Sequence, residues 1–342
     1  MGVDIGDLFD KETCSFHDLK KRVIAIDGHN VLHQFISIIR QRDGTPLKDS
    51  KGRITSHLSG LFHRTANLVD AGVYPLYVFD GPPHPLKMQT IKERQQRREQ
   101  AEREYMEAIE KGDIETARVK VQQTSRVTDE IIEQSKNLLS ALGIPYVQAP
   151  SEGEAQASYM VSRGDAYGIG SQDYDSLLFG SSILIRNLTS STKRKLPGKQ
   201  AYTEVKPELI DLKMNLDKLG ITREQLVDIA ILIGTDFNIG INGIGPKKSY
   251  HLIKKNRCIE NILPNLSESD KDKINNYREI RRLFLEPEVD KDYKINWGVI
   301  EEDKVYRILC DEHQFSKERV EPVIEKYRLL GRMKSQRNLL EF

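Results

Sequence analysis

Short apolar runs and longer stretches of helical periodicity alternate along the chain. Arg22-Val-Ile-Ala-Ile-Asp27, Tyr74-Pro-Leu-Tyr-Val-Phe-Asp80, Ile144-Pro-Tyr-Val147 and Tyr167-Gly-Ile-Gly170 have the length and composition of buried strands. Between them, apolar residues recur at helical spacing: Val31, Phe35 and Ile38, then Leu58, Leu61, Phe62, Ala66 and Val69, then Ile131, Leu138 and Leu142. Ser182–Arg186 reads as a further strand and Tyr202-Thr-Glu-Val205 as an edge strand, with a basic loop from Thr189 to Gln200 between them. Thr222 and Gln225 form a capping box for a helix striped by Leu226, Ile229, Ala230 and Ile233. Residues 262–330 read as packed helices. This order predicts an α/β fold with a mainly parallel central sheet flanked by helices.

One stretch breaks the pattern. From Lys92 to Glu107 the only apolar residues are Ala101, Tyr105 and Met106, so a helix there is polar all round with no stripe to bury. Its first half is basic, and Lys87, Arg94 and Arg98 share one helical face, with Lys92 and Arg97 beside them. A solvated helix laced with ion pairs is the plain reading. A phosphate-gripping insertion that stands off the body is the functional one.

The candidate chemistry is acidic and sits at the strand ends. Asp27 and Asp80 close the first two runs, the Glu152/Glu154 pair follows the third, and the Asp173/Asp175 pair follows the fourth. Open α/β sheets bind ligands beyond the carboxyl ends of their strands. Carboxylates brought together there repel, so protons or cations must neutralise them. An oxygen donor set without Cys or His suits Mg²⁺ or Mn²⁺. Taken singly, Ser151 and Glu154 also fit a capping box, and Asp173-Tyr-Asp175 fits turn chemistry. The fourfold repetition of strand then acid favours ligands. Asp236, in Gly234-Thr-Asp-Phe237, is a fainter member of the set. Just after it, Gly243 and Gly245 bracket an apolar residue before Pro246, Lys247 and Lys248. That is a helix–hairpin–helix type of sequence, able to hold a phosphate on backbone N–H groups.

Composition narrows the picture. The 342 residues carry a formal net charge of only +1, so any nucleic-acid contact rests on a polarised surface rather than on bulk charge. No run of apolar residues is long enough to span a membrane, and the start of the chain does not have the form of a signal peptide. Cys14, Cys258 and Cys310 are scattered and odd in number, which suggests a reducing compartment and no zinc site. His29 and His33 read as ordinary helix histidines. In the tail, Gln336, Leu339 and Phe342 are spaced to form a short turn that offers an apolar plug to a partner.

Taken together, VFDGPP at 78–83, SEGEA at 151–155, SQDYDSLLFG at 171–180, LIGTDFNIGINGIGPKKS at 232–249 and FLEPEV at 284–289 resemble the flap endonucleases, the structure-specific 5′ nucleases of replication and repair. The resemblance covers essentially the whole chain. It implies a PIN-like 5′-nuclease fold, with a nuclease domain over 1–328 and a clamp-binding tail over 329–342. Within the domain it implies an N-region at 1–98, a helical arch at about 84–130 and an intermediate region at about 116–258. A helix-two-turn-helix element falls at about 223–257. The implied metal carboxylates are Asp27, Asp80, Glu152, Glu154, Asp173, Asp175 and Asp236, holding two Mg²⁺ ions for which Mn²⁺ can substitute. Lys87 and Arg94 fall on the basic gateway of the arch. Implied DNA contacts are Gly2, His33, Arg40, Arg64, Arg97, Arg98, Gly234, Gly243, Gly245, Lys247 and Lys248, with a K⁺ ion at the helix-two-turn-helix element. Gln336, Leu339 and Phe342 fall on the motif for a trimeric sliding clamp. The chain has His33 where the family often has a stacking aromatic, and it stops after one terminal aromatic. It has no basic extension beyond the motif, which points to an archaeal, cytoplasmic, nucleoid-associated monomer acting on branched 5′-flap DNA as endonuclease and 5′–3′ exonuclease. A metal-dependent single-strand RNase, a non-catalytic junction binder and a phosphomonoesterase are the alternatives the residues leave open.

Overall fold

Each apolar run forms a strand. The computed structural model describes residues 2–41, 43–190, 193–195 and 202–338, with the backbone alone at 193–195, 202–204 and 329–338. The strands are β1 (Glu12–Thr13), β2 (Val23–Asp27), β3 (Tyr74–Phe79), β4 (Tyr146–Gln148), β5 (Gly168–Gly170), β6 (Ile183–Arg186), β7 (Lys193–Lys195), β8 (Tyr202–Glu204) and β9 (Glu208–Asp211). Seven of them make one sheet in the order β1-β9-β6-β5-β2-β3-β4. β4, β3, β2, β5 and β6 are mutually parallel, and β9 and β1 join antiparallel at one edge. The segment Tyr202–Glu204 is not an edge of this sheet. It pairs with β7 in a separate ribbon, and β7 lies inside the stretch that composition reads as loop.

Pro75 sits in β3 without disrupting the sheet. The N–H it lacks would point toward β4, and β4 begins only at Tyr146, opposite Tyr77.

The helices are α1 (Gly28–Ile38), α2 (Ser56–Asp70), α3 (Met88–Glu110), α4 (Ile114–Gln123), α5 (Asp129–Ala141), α6 (Gly153–Ser162), α7 (Asp175–Leu178), α8 (Leu212–Leu219), α9 (Arg223–Ile233), α10 (Pro246–Asn256), α11 (Glu268–Lys273), α12 (Tyr277–Leu285), α13 (Glu302–Tyr306) and α14 (Lys317–Asn338). They cover both faces of the sheet. The period of two along β2 sends Ile24 and Ile26 into a cluster with Phe35, Phe62, Leu138 and Tyr327, from α1, α2, α5 and α14. Ala25 faces the other way, with Val78, Val147 and Met160. A third cluster joins Leu184 and Ile210 of the sheet to Leu177, Leu226, Ile253 and Phe284, from α7, α9, α10 and α12. The capping box at Thr222 and Gln225 opens α9 as expected. Arg281 of α12 braces α9 with paired hydrogen bonds to Asp228 at 2.8 and 2.9 Å, and it also bonds Glu260.

α3 and α4 form a helical hairpin. It does have a seam, built of small residues: Ala101 and Ala108 of α3, and Ala117 and Val121 of α4, are buried. The expected boundary between 328 and 329 falls inside α14, whose backbone is helical through Asn338. Gln336 is therefore helical, and Leu339 and Phe342 lie outside the described residues. No helix among the described residues is long and apolar enough to cross a membrane.

Candidate active site

The parallel strands deliver their terminal acids to one edge. Asp27 ends β2 and caps α1: its Oδ1 accepts the Asn30 N–H at 3.0 Å, and its Oδ2 accepts the Ser171 hydroxyl at 3.2 Å. Asp173 follows β5, and its Oδ2 accepts the Asn30 Nδ2–H at 2.9 Å. Its N–H donates to Ser171 Oγ at 3.2 Å. Asn30 and Ser171 thus join the acids of two adjacent strands.

Asp80 follows β3. Its Oδ1 accepts the Gly153 N–H at 2.6 Å, the first free donor of α6. This corrects the capping box expected at Ser151 and Glu154. Glu152 is the N-cap residue, and no side chain of the cap itself closes the helix. Asp80 does so from a neighbouring strand, while the Ser151 carbonyl accepts the Gly81 N–H at 2.6 Å. His29 is no bystander either. Its Nδ1 accepts the Asp80 N–H at 3.1 Å and lies 3.3 Å from Asp80 Oδ2.

Asp175 opens α7, and its Oδ1 accepts the Val3 N–H at 2.8 Å. A side chain on Gly2 would collide with that same carboxyl group. Asp236, in the turn after α9, receives Arg94 at 2.5 Å and Lys87 at 3.4 Å. Lys87 Nζ also donates to Glu152 Oε2 at 2.6 Å. All seven sequence-identified acids therefore border one cleft beneath the first turns of the arch.

Their electrostatics agree with that crowding. Burial, then the neighbouring Asp80, raises the Asp27 carboxyl to about 7. Burial, then Asp236 and Asp173, raises Asp175 to about 7. Burial and the charges of Asp175 and Asp27 push Glu154 well above the usual carboxylate range. Burial also raises Glu152, although Lys87 works against it. Burial would lower the Lys87 ammonium, but Glu152, Asp236 and Asp80 outweigh it and raise it.

Among the described residues no three such side chains are already closed into a metal-binding arrangement. The donor chemistry still suits a hard divalent cation. The donors are all carboxylate oxygens, four of them are pushed toward protonation, and the buried Glu154 Oε1 has no hydrogen-bond partner.

The glycine-rich segment forms a compact double turn between α9 and α10. Gly234 and Gly240 have φ of +113° and +75° and lie backbone to backbone, with Thr235 and Asn238 bridged between them. Gly243 needs its φ of +76°. Gly245 is extended with open space where a side chain would be, so neither strain nor packing requires glycine there. It leads into α10 through Pro246 at the first turn, beside the exposed Lys247 and Lys248.

The remaining expected DNA contacts are spread around this cleft. Arg97 is exposed on α3, and Arg98 is half-buried, close in charge to Arg94 and Arg126. His33 is exposed on α1. Arg64 is half-buried on α2. The guanidinium of Arg40, by contrast, is turned onto backbone carbonyls of α4 and of the loop after α1. Sequence reasoning missed Asn30, Ser171 and His29. A signal existed for Asn30, a polar residue in the first turn of α1, three residues after a strand-end acid.

Comparison with known proteins follows the same lines. The XPG N-terminal domain model matches residues 9–101, and the XPG I-region model matches residues 143–236. A protein named flap endonuclease 1 from Staphylothermus marinus is 51% identical over 335 residues, covering 95% of this chain and 94% of that protein. The one from Archaeoglobus fulgidus is 51% identical over 330 residues, covering 96% and 97%. The solved flap endonuclease-1 from Methanococcus jannaschii superposes with a TM-score of 0.77 at 41% identity, covering 97% of this chain and all of that one. At this identity and coverage, the chain belongs to the flap endonuclease family.

Proposed function

We propose that the carboxylate cleft is the site of phosphodiester hydrolysis, with Asp27, Asp80, Glu152, Glu154, Asp173, Asp175 and Asp236 holding two Mg²⁺ ions, or Mn²⁺ in their place. The chain is a structure-specific flap endonuclease acting on branched DNA in replication and repair, and its reaction takes a divalent metal. The assignment of residues to that chemistry is our reading. The observation that carries it is the convergence of acids from four parallel strands, with Asp27 and Asp175 raised to about 7. When bound, the ions would supply a hydroxide-like nucleophile and stabilise the leaving oxygen.

The rest is the work of side chains and backbone. Asn30 and Ser171 hold Asp27 and Asp173 in place, and the α6 N-terminus fixes Asp80. Lys87 and Arg94 stand on the arch at the cleft and would bear on the charge developing at the scissile phosphate. The double turn at 234–245 and the α10 N-terminus would grip the downstream duplex through its backbone, with a K⁺ ion at the turn, so selection follows shape rather than sequence. Gly2, His33, Arg64, Arg97 and Arg98 would line the path of the branched strands. Gln336, Leu339 and Phe342 would bind the sliding clamp. We read the chain as a monomer of the archaeal cytoplasm, associated with the nucleoid, organised as a nuclease domain with a clamp-binding tail.

Nothing in the cleft favours a non-catalytic junction binder, which would have no use for acids held against their own repulsion. The product length from an end-labelled double-flap substrate tests the reading. Cutting at the junction that stops with EDTA is expected. Metal-independent product, or none, would refute it.

A further inference from the structure

Arg40 closes the short strand-like bridge after α1, and its guanidinium fastens the second foot of the arch. Nε donates to the Ser37 carbonyl at 2.8 Å, and Nη1 donates to the carbonyls of Gly44 at 2.6 Å and Val121 at 3.1 Å. Nη2 reaches the Gln122 carbonyl at 3.4 Å and the Ser125 hydroxyl oxygen. Val121 and Gln122 lie in the last turn of α4, where carbonyls lack donors from their own helix and the helix dipole is negative. Ser125 Oγ donates to the Gln122 carbonyl at 3.0 Å, so the hydroxyl extends the same cap. Gly44, at a φ of +89°, lies directly under α4, where a side chain would press on Arg118 and Val121. One cation therefore ties α1, the loop after it and the descending helix of the arch.

We propose that Arg40 is a positioning residue for cleavage: by capping α4 it sets the arch so that Lys87 and Arg94, at the other foot, face Glu152 and Asp236. This rests on the assignment of Lys87 and Arg94 given above. A guanidinium suits the task because its planar fork serves several carbonyls at once, whereas an ammonium on a lysine stem keeps the charge without that reach. A residue that only contacts a DNA phosphate would be replaced well by lysine.

Single-turnover cleavage at saturating flap DNA, flap affinity, and amide exchange across residues 117–125 test it together. Arg40→Lys and Arg40→Ala are both expected to slow the saturated rate by about tenfold or more, as small misplacements of catalytic groups do. Both should speed exchange across 117–125. Ser125→Ala should move rate and exchange in the same direction, by less and with no change of charge. Recovery of the full rate by Arg40→Lys would overturn the proposal, as would a loss confined to affinity. If Arg40→Ala does not fold, Arg40→Lys and Ser125→Ala carry the test. Failure of the underlying assignment would look different: Lys87→Ala would match the native rate at saturation, while exchange at 117–125 still reported on Arg40.

Discussion

Asn30 holds Asp173 by a hydrogen bond of 2.9 Å from its side-chain amide, while its own backbone N–H holds Asp27 at 3.0 Å. One residue thus spaces two acids on adjacent strands. Losing a partner that orients a metal ligand costs about 10–100-fold in metal affinity or activity. Asn30→Leu should raise the Mg²⁺ concentration needed for half-maximal cleavage by a factor in that range, with the fold retained by circular dichroism. An unchanged metal requirement would show that Asp27 and Asp173 hold their positions unaided.

Asp175→Ala should abolish cleavage. Flap binding, measured by fluorescence anisotropy, should persist, since the double turn at 234–245 and the arch do not pass through Asp175. The same variant frees the Val3 N–H, so early proteolysis or amide exchange at residues 2–5 should rise with it. An Asp175→Ala enzyme that still cuts would remove this carboxylate from the metal set.

Lys87→Ala should slow single-turnover cleavage far more than it weakens flap binding, by about 100-fold against a few-fold, as expected for a group that meets charge in the transition state. Equal losses in rate and affinity would make Lys87 a plain phosphate contact.

The acids also predict how stability varies with pH when divalent metal is chelated. Asp27 and Asp175 have folded values near 7, above the ordinary carboxylate value they take when unfolded. Between about pH 4 and 7 these two groups therefore bind more protons in the folded chain than in the unfolded one, so their contribution to stability falls as pH rises through that window. Burial, which lowers His57 to about 4 and also lowers His33, His63 and His313, acts oppositely inside that window, whereas the raised Glu152 and Glu154 add to the fall. Glu260, held near 2 by Arg281, loses its stabilising contribution only in acid below the window. In EDTA, Tm should drop by about 3 °C or more between pH 5 and 7.5, and added Mg²⁺ should cancel the drop. A flat or rising Tm in EDTA would show that these carboxyl groups do not carry the strain assigned to them.

Strands and acids were legible because both are local: a run of apolar residues and the residue that ends it. The helix cap at α6 was misread because its acceptor, Asp80, comes from 73 residues away, and a local motif of the right letters stood in its place. The seam of the arch was missed for another reason. Alanine is too small to register as an apolar stripe, yet Ala101, Ala108 and Ala117 are just what lets two charged helices approach closely. Arg40 is expected from sequence among the DNA contacts, because nothing near it announces that carbonyls about 80 residues downstream will claim it.

The arch is anchored with opposite polarity at its two ends. At the first, its own Lys87 and Arg94 grip carboxylates of the body, and at the second, a cation of the body grips its carbonyls. Dissolved salt screens attraction between full charges much more than it weakens hydrogen bonds to a shielded backbone. Lys87 and Glu152 are each only 17% exposed and so are screened little, but Arg94 is 36% exposed, so raising ionic strength should loosen the Arg94 contact first and leave the carbonyl-capped end as a pivot.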